Sequence, residues 1–158
     1  MDWNNALGTG GSSGNRLNRQ QLGFIGESVA KIAFTLEGFE VYATAYDDRG
    51  IDFVVRGANN IFLPVQVKTT NNQANPFILA KKFESVPGLL FCSVRFVRDA
   101  DPVLHLAVIR DWSTAKGNFL KFNSKGGDAG PYYEMNLIGS QAADGVSFEF
   151  SKYIRTLC

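Results

Sequence analysis

The clearest hydrophobic pattern in the chain runs over residues 19–38. Apolar side chains recur there at intervals of three and four, the spacing of one face of an α-helix. Asn18 followed by Gln21 has the form of a capping box, and Gly38 is a typical residue just beyond a helix end. The segment is therefore predicted to be a helix with an apolar stripe of Leu22, Ile25, Val29, Ile32, Ala33 and Leu36.

A second line of small residues runs beside this stripe. Gly23, Gly26 and Ala30, followed by Phe34, form a shoulder on the helical wheel, and Glu27 lies at its outer edge. Small residues allow a helix to lie close to a sheet. We therefore expect this helix to pack tightly on strands and to bring Glu27 near the strand ends.

Beyond Gly38 the hydrophobic pattern has the short period of β-strands. Apolar positions alternate or cluster in short runs that are separated by Gly, Asn and Asp. Because proline cannot donate to a strand ladder, the paired part of the third strand is expected to begin near Val65, after Pro64. Residues 71–76 and 123–130 are predicted loops, and Asp111 is a candidate cap for a short helix. The predicted strands cover residues 39–45, 51–56, 61–70, 89–97, 103–109, 132–138 and 146–153.

Composition limits the class of protein without selecting a function. The 158 residues are 45% hydrophobic and include 13 Phe, which is enough for one sizeable core. Residues 7–15 are rich in Gly and Ser, so residues 1–18 are predicted to form a flexible arm and residues 19–158 a single domain. With 16 Lys and Arg against 15 Asp and Glu, the chain has no net field that favours nucleic acid, and any such affinity must come from a local basic patch.

Localisation is expected to be cytoplasmic. Cys92 and Cys158 are too few and too far apart to suggest a disulfide framework, which favours a reducing compartment. No stretch is long and apolar enough to span a bilayer, and the first residues lack the pattern of a signal peptide. We therefore expect no membrane partner.

Polar residues interrupt two consecutive strands in a way that suggests chemistry. Asp52 opens the strand of residues 51–56, and Gln66 and Lys68 share one face of the next strand, with Val65 and Val67 on the other face. Together with Glu27, these residues supply hard oxygen ligands for a divalent cation and a cationic group near a phosphate. Metal-assisted hydrolysis of a phosphodiester needs both.

The order of these residues resembles the core of the PD-(D/E)xK nuclease superfamily, in particular its Holliday-junction-resolvase and Mrr-like branches. The resemblance covers residues 20–70 and rests on four segments, Gly26-Glu27-Ser28-Val29-Ala30, Gly38-Phe39-Glu40-Val41, Gly50-Ile51-Asp52-Phe53 and Gln66-Val67-Lys68. It implies an α/β (α+β) fold of the restriction-endonuclease type. In that fold a central mixed β-sheet is flanked by helices in the order α-β-β-β-α-β, here with additional C-terminal strands.

The same resemblance implies an activity and a cofactor. The chain is expected to be an endonuclease that hydrolyses DNA in defence, repair or recombination, with Mg²⁺ or Mn²⁺ held by Asp52, Gln66 and Glu27, and with Lys68 stabilising charge or positioning a water. Gln66 departs from the acid that is more frequent at its position, which removes one negative charge and weakens metal binding. The alternative is an inactive nuclease-fold module that binds nucleic acid or protein.

Every one of these residues also has a simpler interpretation. Asp52 can belong to a turn, Gln66 and Lys68 to a solvated strand face, and Glu27 to an exposed helix surface.

DNA, duplex or branched, is the expected partner, and cutting both strands would favour a homodimer. Phe77, Trp112, Tyr132 and Tyr133 can stack on unpaired bases or pack in the core. The candidates for contact with a phosphate backbone are Arg49, Arg56, Lys81 and Lys82.

Overall fold

A computed structural model describes Trp3, residues 17–45, 50–71, 75–108, 120–124 and 127–135, Phe150 and Ile154. In this part of the chain the fold is α+β, with two helices and two sheets. The helices are α1 (Arg19–Leu36) and α2 (Ala80–Glu84). The strands are β1 (Glu40–Ala43), β2 (Phe53–Arg56), β3 (Phe62–Asn71), β4 (Phe77–Leu79), β5 (Leu90–Phe96), β6 (Val103–Val108), β7 (Leu120–Asn123) and β8 (Tyr132–Met135).

The larger sheet is mixed, as predicted. Its five strands lie in the order β1-β2-β3-β5-β6, and all neighbours are antiparallel except β3 and β5. The parallel pair needs a crossover, and β4 and α2 occur in the chain between its two strands. This arrangement makes β3 a central strand with β2 on one side and β5 on the other.

A smaller sheet was not predicted. Strands β4, β8 and β7 form a three-stranded antiparallel sheet, so the predicted order α-β-β-β-α-β is wrong at one point, where β4 precedes α2. Strand β4 has only three residues, too few to show a period, and its partner β8 is distant in the chain. Local pattern alone therefore gives little sign of it.

Helix α1 confirms the capping prediction and corrects the predicted buried face. The side chains of Asn18 and Gln21 each accept a hydrogen bond from the other residue's backbone N–H, and Gly38 follows the helix end with a φ of +87°. The buried residues, however, are Gly26, Ala30 and Phe34, whereas Ile32 and Leu36 are 61% and 82% exposed. The small-residue shoulder faces the sheet because it permits the closest approach.

The strand containing Pro64 begins earlier than predicted. Pro64 lies opposite Val54 within the β2–β3 pair, and β3 starts at Phe62. The carbonyl of Val65 accepts a hydrogen bond from Asp52 N–H, so the backbone N–H and C=O of Val65 point toward β2. Neighbouring residues of a strand point these groups to opposite sides, so the nitrogen of Pro64 points away from β2. Pairing with β5 begins only at Val65, and the missing N–H therefore costs no ladder bond.

Two hydrophobic clusters cover the two faces of the larger sheet. One lies under α1 and includes Phe34, Phe53 and Val65, and the other lies under the smaller sheet and includes Ile78 and Phe91. Trp3 packs on Phe96 with ring centroids 5.5 Å apart. No helix in the described part of the chain is long and apolar enough to cross a membrane.

Several predictions concern segments outside the described residues. These are the cap at Asp111, the end of the strand over 132–138, most of the strand over 146–153 and most of the arm over 1–18. Phe150 has helical backbone, which contradicts a strand at that residue. Phe150 and Ile154 are both buried, in the hydrophobic cluster that lies under α1.

Candidate functional site

The candidate site lies where β3 extends beyond β2. At this end of the hairpin the β2–β3 pairing stops at Phe53, the first residue of β2, which lies opposite Val65. Strand β3 continues beyond this pair to Asn71. Asp52 occupies the position just past the pair: its N–H donates to the Val65 carbonyl at 2.9 Å, and its Oδ2 accepts from the Val67 N–H at 2.5 Å. The carboxylate thus accepts the N–H of Val67, beyond the last residue pair of β2 and β3, and is held beside β3.

Two further contacts hold the segment that carries Asp52. The Thr44 hydroxyl donates to the carbonyls of Ile51 at 3.2 Å and Asp52 at 3.1 Å. Gly50 has a φ of +74°, and a Cβ there would lie 3.1 Å from Gln66 Nε2 and 3.2 Å from Lys82 Cδ. Glycine therefore allows both the turn and the close approach of these two side chains.

Helix α1 approaches β3 through a glycine. A Cβ at Gly26 would overlap the Thr69 hydroxyl and would lie 2.8 Å from Thr69 Cβ and Cγ2. The neighbouring Glu27 is carried to the same edge of β3, where its side chain is 36% exposed and ion-paired with Lys31 at 3.8 Å. The predicted role of the small residues in positioning Glu27 agrees with this packing.

These elements enclose a cleft of about 620 Å³, called here the main cleft. It contains Glu27, Asp52, Gln66 and Lys68, so four residues that the sequence suggested as site residues line one space. Helix α1 supplies one wall, β3 the floor and Lys82 of α2 part of the opposite side. The remaining lining residues are Arg19, Leu22, Gly23, Val67, Thr69, Thr70 and Asn71.

Gln66 is the most buried polar residue of the main cleft. Only 2% of its surface is exposed, and its Oε1 is buried without a hydrogen-bond partner. A buried amide carbonyl normally has a partner, since leaving it unpaired costs about 1–3 kcal/mol. Gln66 and Lys68 share one face of β3, and Val65 and Val67 pack on the other face as predicted.

Charges of both signs meet in the main cleft. In the described part of its lining, Glu27 and Asp52 carry carboxylates, and the cationic side chains are Arg19, Lys68 and Lys82. Burial and the charge of Asp52 both raise the pKa of the Cys92 thiol, which lies behind the cleft on the core face of β5. Cys92 therefore stays a protonated, inert core residue.

Of the basic residues suggested for contact with a phosphate backbone, Arg56 and Lys81 do not line the main cleft. Arg56 lies about 13 Å along β2 from Asp52, donates to Glu40 Oε1 at 2.5 Å, and does not line the main cleft. This hydrogen bond is the main cause of the lowered pKa of the Glu40 carboxyl. Lys81 is exposed and also outside the lining, and Arg49 lies outside the described residues.

Sequence reasoning underestimated two cationic residues. Lys82 was only one of four scattered basic candidates, and Arg19 was not among the candidates. Both line the main cleft. Arg19 is the first residue of α1, about two turns before Glu27, so its helical position was a usable signal. Lys82 had no such signal, because its placement depends on the smaller sheet.

The carboxylates are few for a metal site. Within the described residues no group of three or more His, Cys, Asp or Glu side chains is placed to hold a metal ion.

The chain matches no known family model, and a comparison with curated protein sequences likewise gives no match.

Proposed function

We propose that the protein is a divalent-metal-dependent endonuclease that acts on DNA at the main cleft. The observation that carries the proposal is the convergence of four residues in one cleft, although they come from helix α1, the segment before β2, and β3: Glu27, Asp52, Gln66 and Lys68. Oxygen donors next to ammonium and guanidinium groups suit the hydrolysis of an anionic phosphodiester.

The donor set fits Mg²⁺ or Mn²⁺. Asp52 and Glu27 offer carboxylate oxygens, and the buried Gln66 Oε1 is a carbonyl oxygen without a hydrogen-bond partner. Proteins commonly bind Mg²⁺ through one or two carboxylates and leave other positions to water and substrate phosphate. When bound there, such an ion would polarise the phosphate and lower the pKa of a water.

The remaining roles belong to the chain's own side chains. Lys68 would stabilise the negative charge that develops on the attacked phosphate, because its ammonium lies on the same strand as Gln66. Arg19 and Lys82 would hold the flanking phosphates from opposite sides of the main cleft. Val67 N–H keeps the Asp52 carboxylate oriented, which limits the reorganisation needed when substrate binds.

Cleavage of supercoiled plasmid and of a branched DNA tests the proposed activity. We expect nicked or linear products in Mg²⁺ or Mn²⁺, and none in the presence of a chelator. Because phosphate contacts release counterions, binding and cleavage should weaken steeply as salt rises. Metal-independent cleavage, or the same cleavage in the chelator lane, would contradict the proposed mechanism.

A second candidate is a module that has the same cleft but no activity. The neutral Gln66 favours it, and so does the finding that only two of the described residues lining the main cleft are carboxylates. It predicts that DNA is retained, at low salt and without metal, and that no substrate is cut. Retention without cleavage in either metal would therefore select this candidate over the enzyme.

Changing Gln66 to Glu tests the metal proposal without relying on cleavage. The added charge should tighten Mn²⁺ binding about tenfold, because affinity at such sites follows ligand charge. Without metal the variant should melt at a lower temperature than the wild type, since a buried unpaired carboxylate is costly, and saturating Mn²⁺ should restore the loss.

The matched control is Gln66→Met, which has similar volume and no carbonyl oxygen. It should show no Mn²⁺-dependent rise in melting temperature. Equal responses of the wild type and both variants to Mn²⁺ would place the ion elsewhere. Thermal unfolding followed by circular dichroism over a Mn²⁺ titration provides the measurement.

A further inference from the structure

A second cavity, called here the side pocket, opens beside the main cleft. It has a volume of about 460 Å³, within the range of pockets that hold small ligands. The two cavities are adjacent, because five residues line both of them: Gln66, Lys68, Thr69, Thr70 and Lys82. Whatever occupies the side pocket therefore lies next to whatever the main cleft binds.

The two cavities differ in chemistry. Among the described residues, five charged side chains line the main cleft, whereas Lys68 and Lys82 alone line the side pocket, and both also line the main cleft. Its outer wall is formed by Pro76 and β4, which present mostly carbon. Asn75 adds one amide at this wall, and its Nδ2 donates to Glu134 at 2.9 Å. An apolar space with a polar edge fits a flat ligand that has polar groups on its rim.

Phe77 provides an aromatic surface at this pocket. Its side chain is 54% exposed, whereas the next residue, Ile78, is buried in the core beneath the smaller sheet. The Phe77 ring contacts Tyr132 at a centroid distance of 5.3 Å, and the Tyr132 hydroxyl accepts a hydrogen bond from Asn123 at 2.7 Å. The ring is thus held by a neighbouring ring and still has more than half of its surface exposed.

We propose that the side pocket binds an unpaired nucleobase that flanks the phosphate in the main cleft. This inference rests on the proposed function, because it takes the main cleft as the phosphate site. Charge complementarity supports the occupant: the cationic Lys68 and Lys82 at the boundary match a phosphate, and the apolar pocket beyond them matches a base. A paired base remains stacked inside its duplex and cannot enter such a pocket.

The substrate class follows from this arrangement. The protein acts on nucleic acid with an unpaired nucleotide at the cut site, such as a single strand, a flap or a branch with unpaired bases, in preference to continuous duplex. Stacking on an aromatic ring tolerates any base, so the selectivity is for strand structure rather than sequence.

Binding of fluorescent oligonucleotides in the presence of a chelator tests this inference independently of cleavage. The probes are a single strand, the same strand fully paired, and a duplex with one unpaired 2-aminopurine. We expect wild type to prefer the first and third. Phe77→Ala should weaken binding to both about tenfold and leave duplex binding unchanged, because one stacking contact is lost. The 2-aminopurine emission should change on binding to wild type and not to Phe77→Ala.

Two variants separate a stacking role from a structural role. Phe77→Trp keeps a ring and should retain the preference. Phe122→Ala removes another exposed aromatic of the same sheet, 45% exposed and outside the side pocket, and should bind all three probes as wild type does. Equal binding of the three probes together with metal-dependent cleavage would overturn this inference alone. Binding of none of them would overturn it together with the proposed function.

Discussion

Replacement of Asp52 by Asn is expected to reduce the rate of DNA cleavage by about a thousandfold or more, the scale of losing a key electrostatic contribution to the transition state. The asparagine has the same shape, and its amide oxygen can still accept the hydrogen bond from Val67 N–H. What it lacks is the negative charge that holds a divalent cation. The fold should therefore persist while the activity is lost.

Single-turnover cleavage of a branched DNA, with far-ultraviolet circular dichroism as a check of folding, measures this effect. Asp101→Asn is the matched control, because Asp101 is exposed in the loop between β5 and β6 and does not line the main cleft. The control should cut at the wild-type rate. Undiminished cleavage by a folded Asp52→Asn protein would remove Asp52 from the proposed mechanism.

Replacement of Gly26 by Val is expected to destabilise the protein by about 3 kcal/mol or more, at the upper end of the cost of overpacking a core. Even the single methyl of Gly26→Ala would overlap the Thr69 hydroxyl, and Thr69 lies in the middle of a paired stretch of β3, where it cannot move freely. The helix must shift outward, which also moves Glu27 away from the main cleft.

Gly23→Ala is the control, since it lies one turn earlier in the same helix and a Cβ there meets nothing within 4 Å. This substitution should stabilise the helix by about 0.5–1 kcal/mol through the lost flexibility of glycine. Urea unfolding of the two alanine variants should therefore give changes of opposite sign. If Gly26→Ala stabilises as Gly23→Ala does, the close contact between α1 and β3 is wrong.

Removal of the Thr69 side chain refines this result. Thr69→Ala deletes the hydroxyl and methyl that a Cβ at Gly26 would meet but keeps Thr69 Cβ, which lies 2.8 Å away. The combination of Gly26→Ala and Thr69→Ala should therefore be less destabilised than the sum of the two single variants, as expected for residues in direct contact.

Local patterns predicted the parts of the fold whose partners are close in the chain. The capping box at Asn18, the stop at Gly38 and the alternation of Val65, Gln66 and Val67 each depend on neighbouring residues, and all are present in the structure. The β2–β3 hairpin is equally local, so the approach of Asp52 to Gln66 and Lys68 was foreseeable from the order of residues.

Other features required the assembled molecule. The helical wheel placed Ile32 and Leu36 in the apolar stripe, but the close contact of Gly26 with Thr69 centres the buried face of α1 on the small residues and leaves these two exposed. The smaller sheet joins β4 to β8, which are far apart in the chain, so its existence and the position of Lys82 had no local signal.

The sequence by itself determined the helix, the strands of the hairpin and the side chains that can meet at the end of β3, because these depend on short-range periodicity and on turn residues. Only the tertiary structure decided which helix face is buried, that Arg19 and Lys82 join the main cleft, and that a side pocket lies beside it. Those features depend on packing between distant segments, where shape and volume determine which surfaces meet.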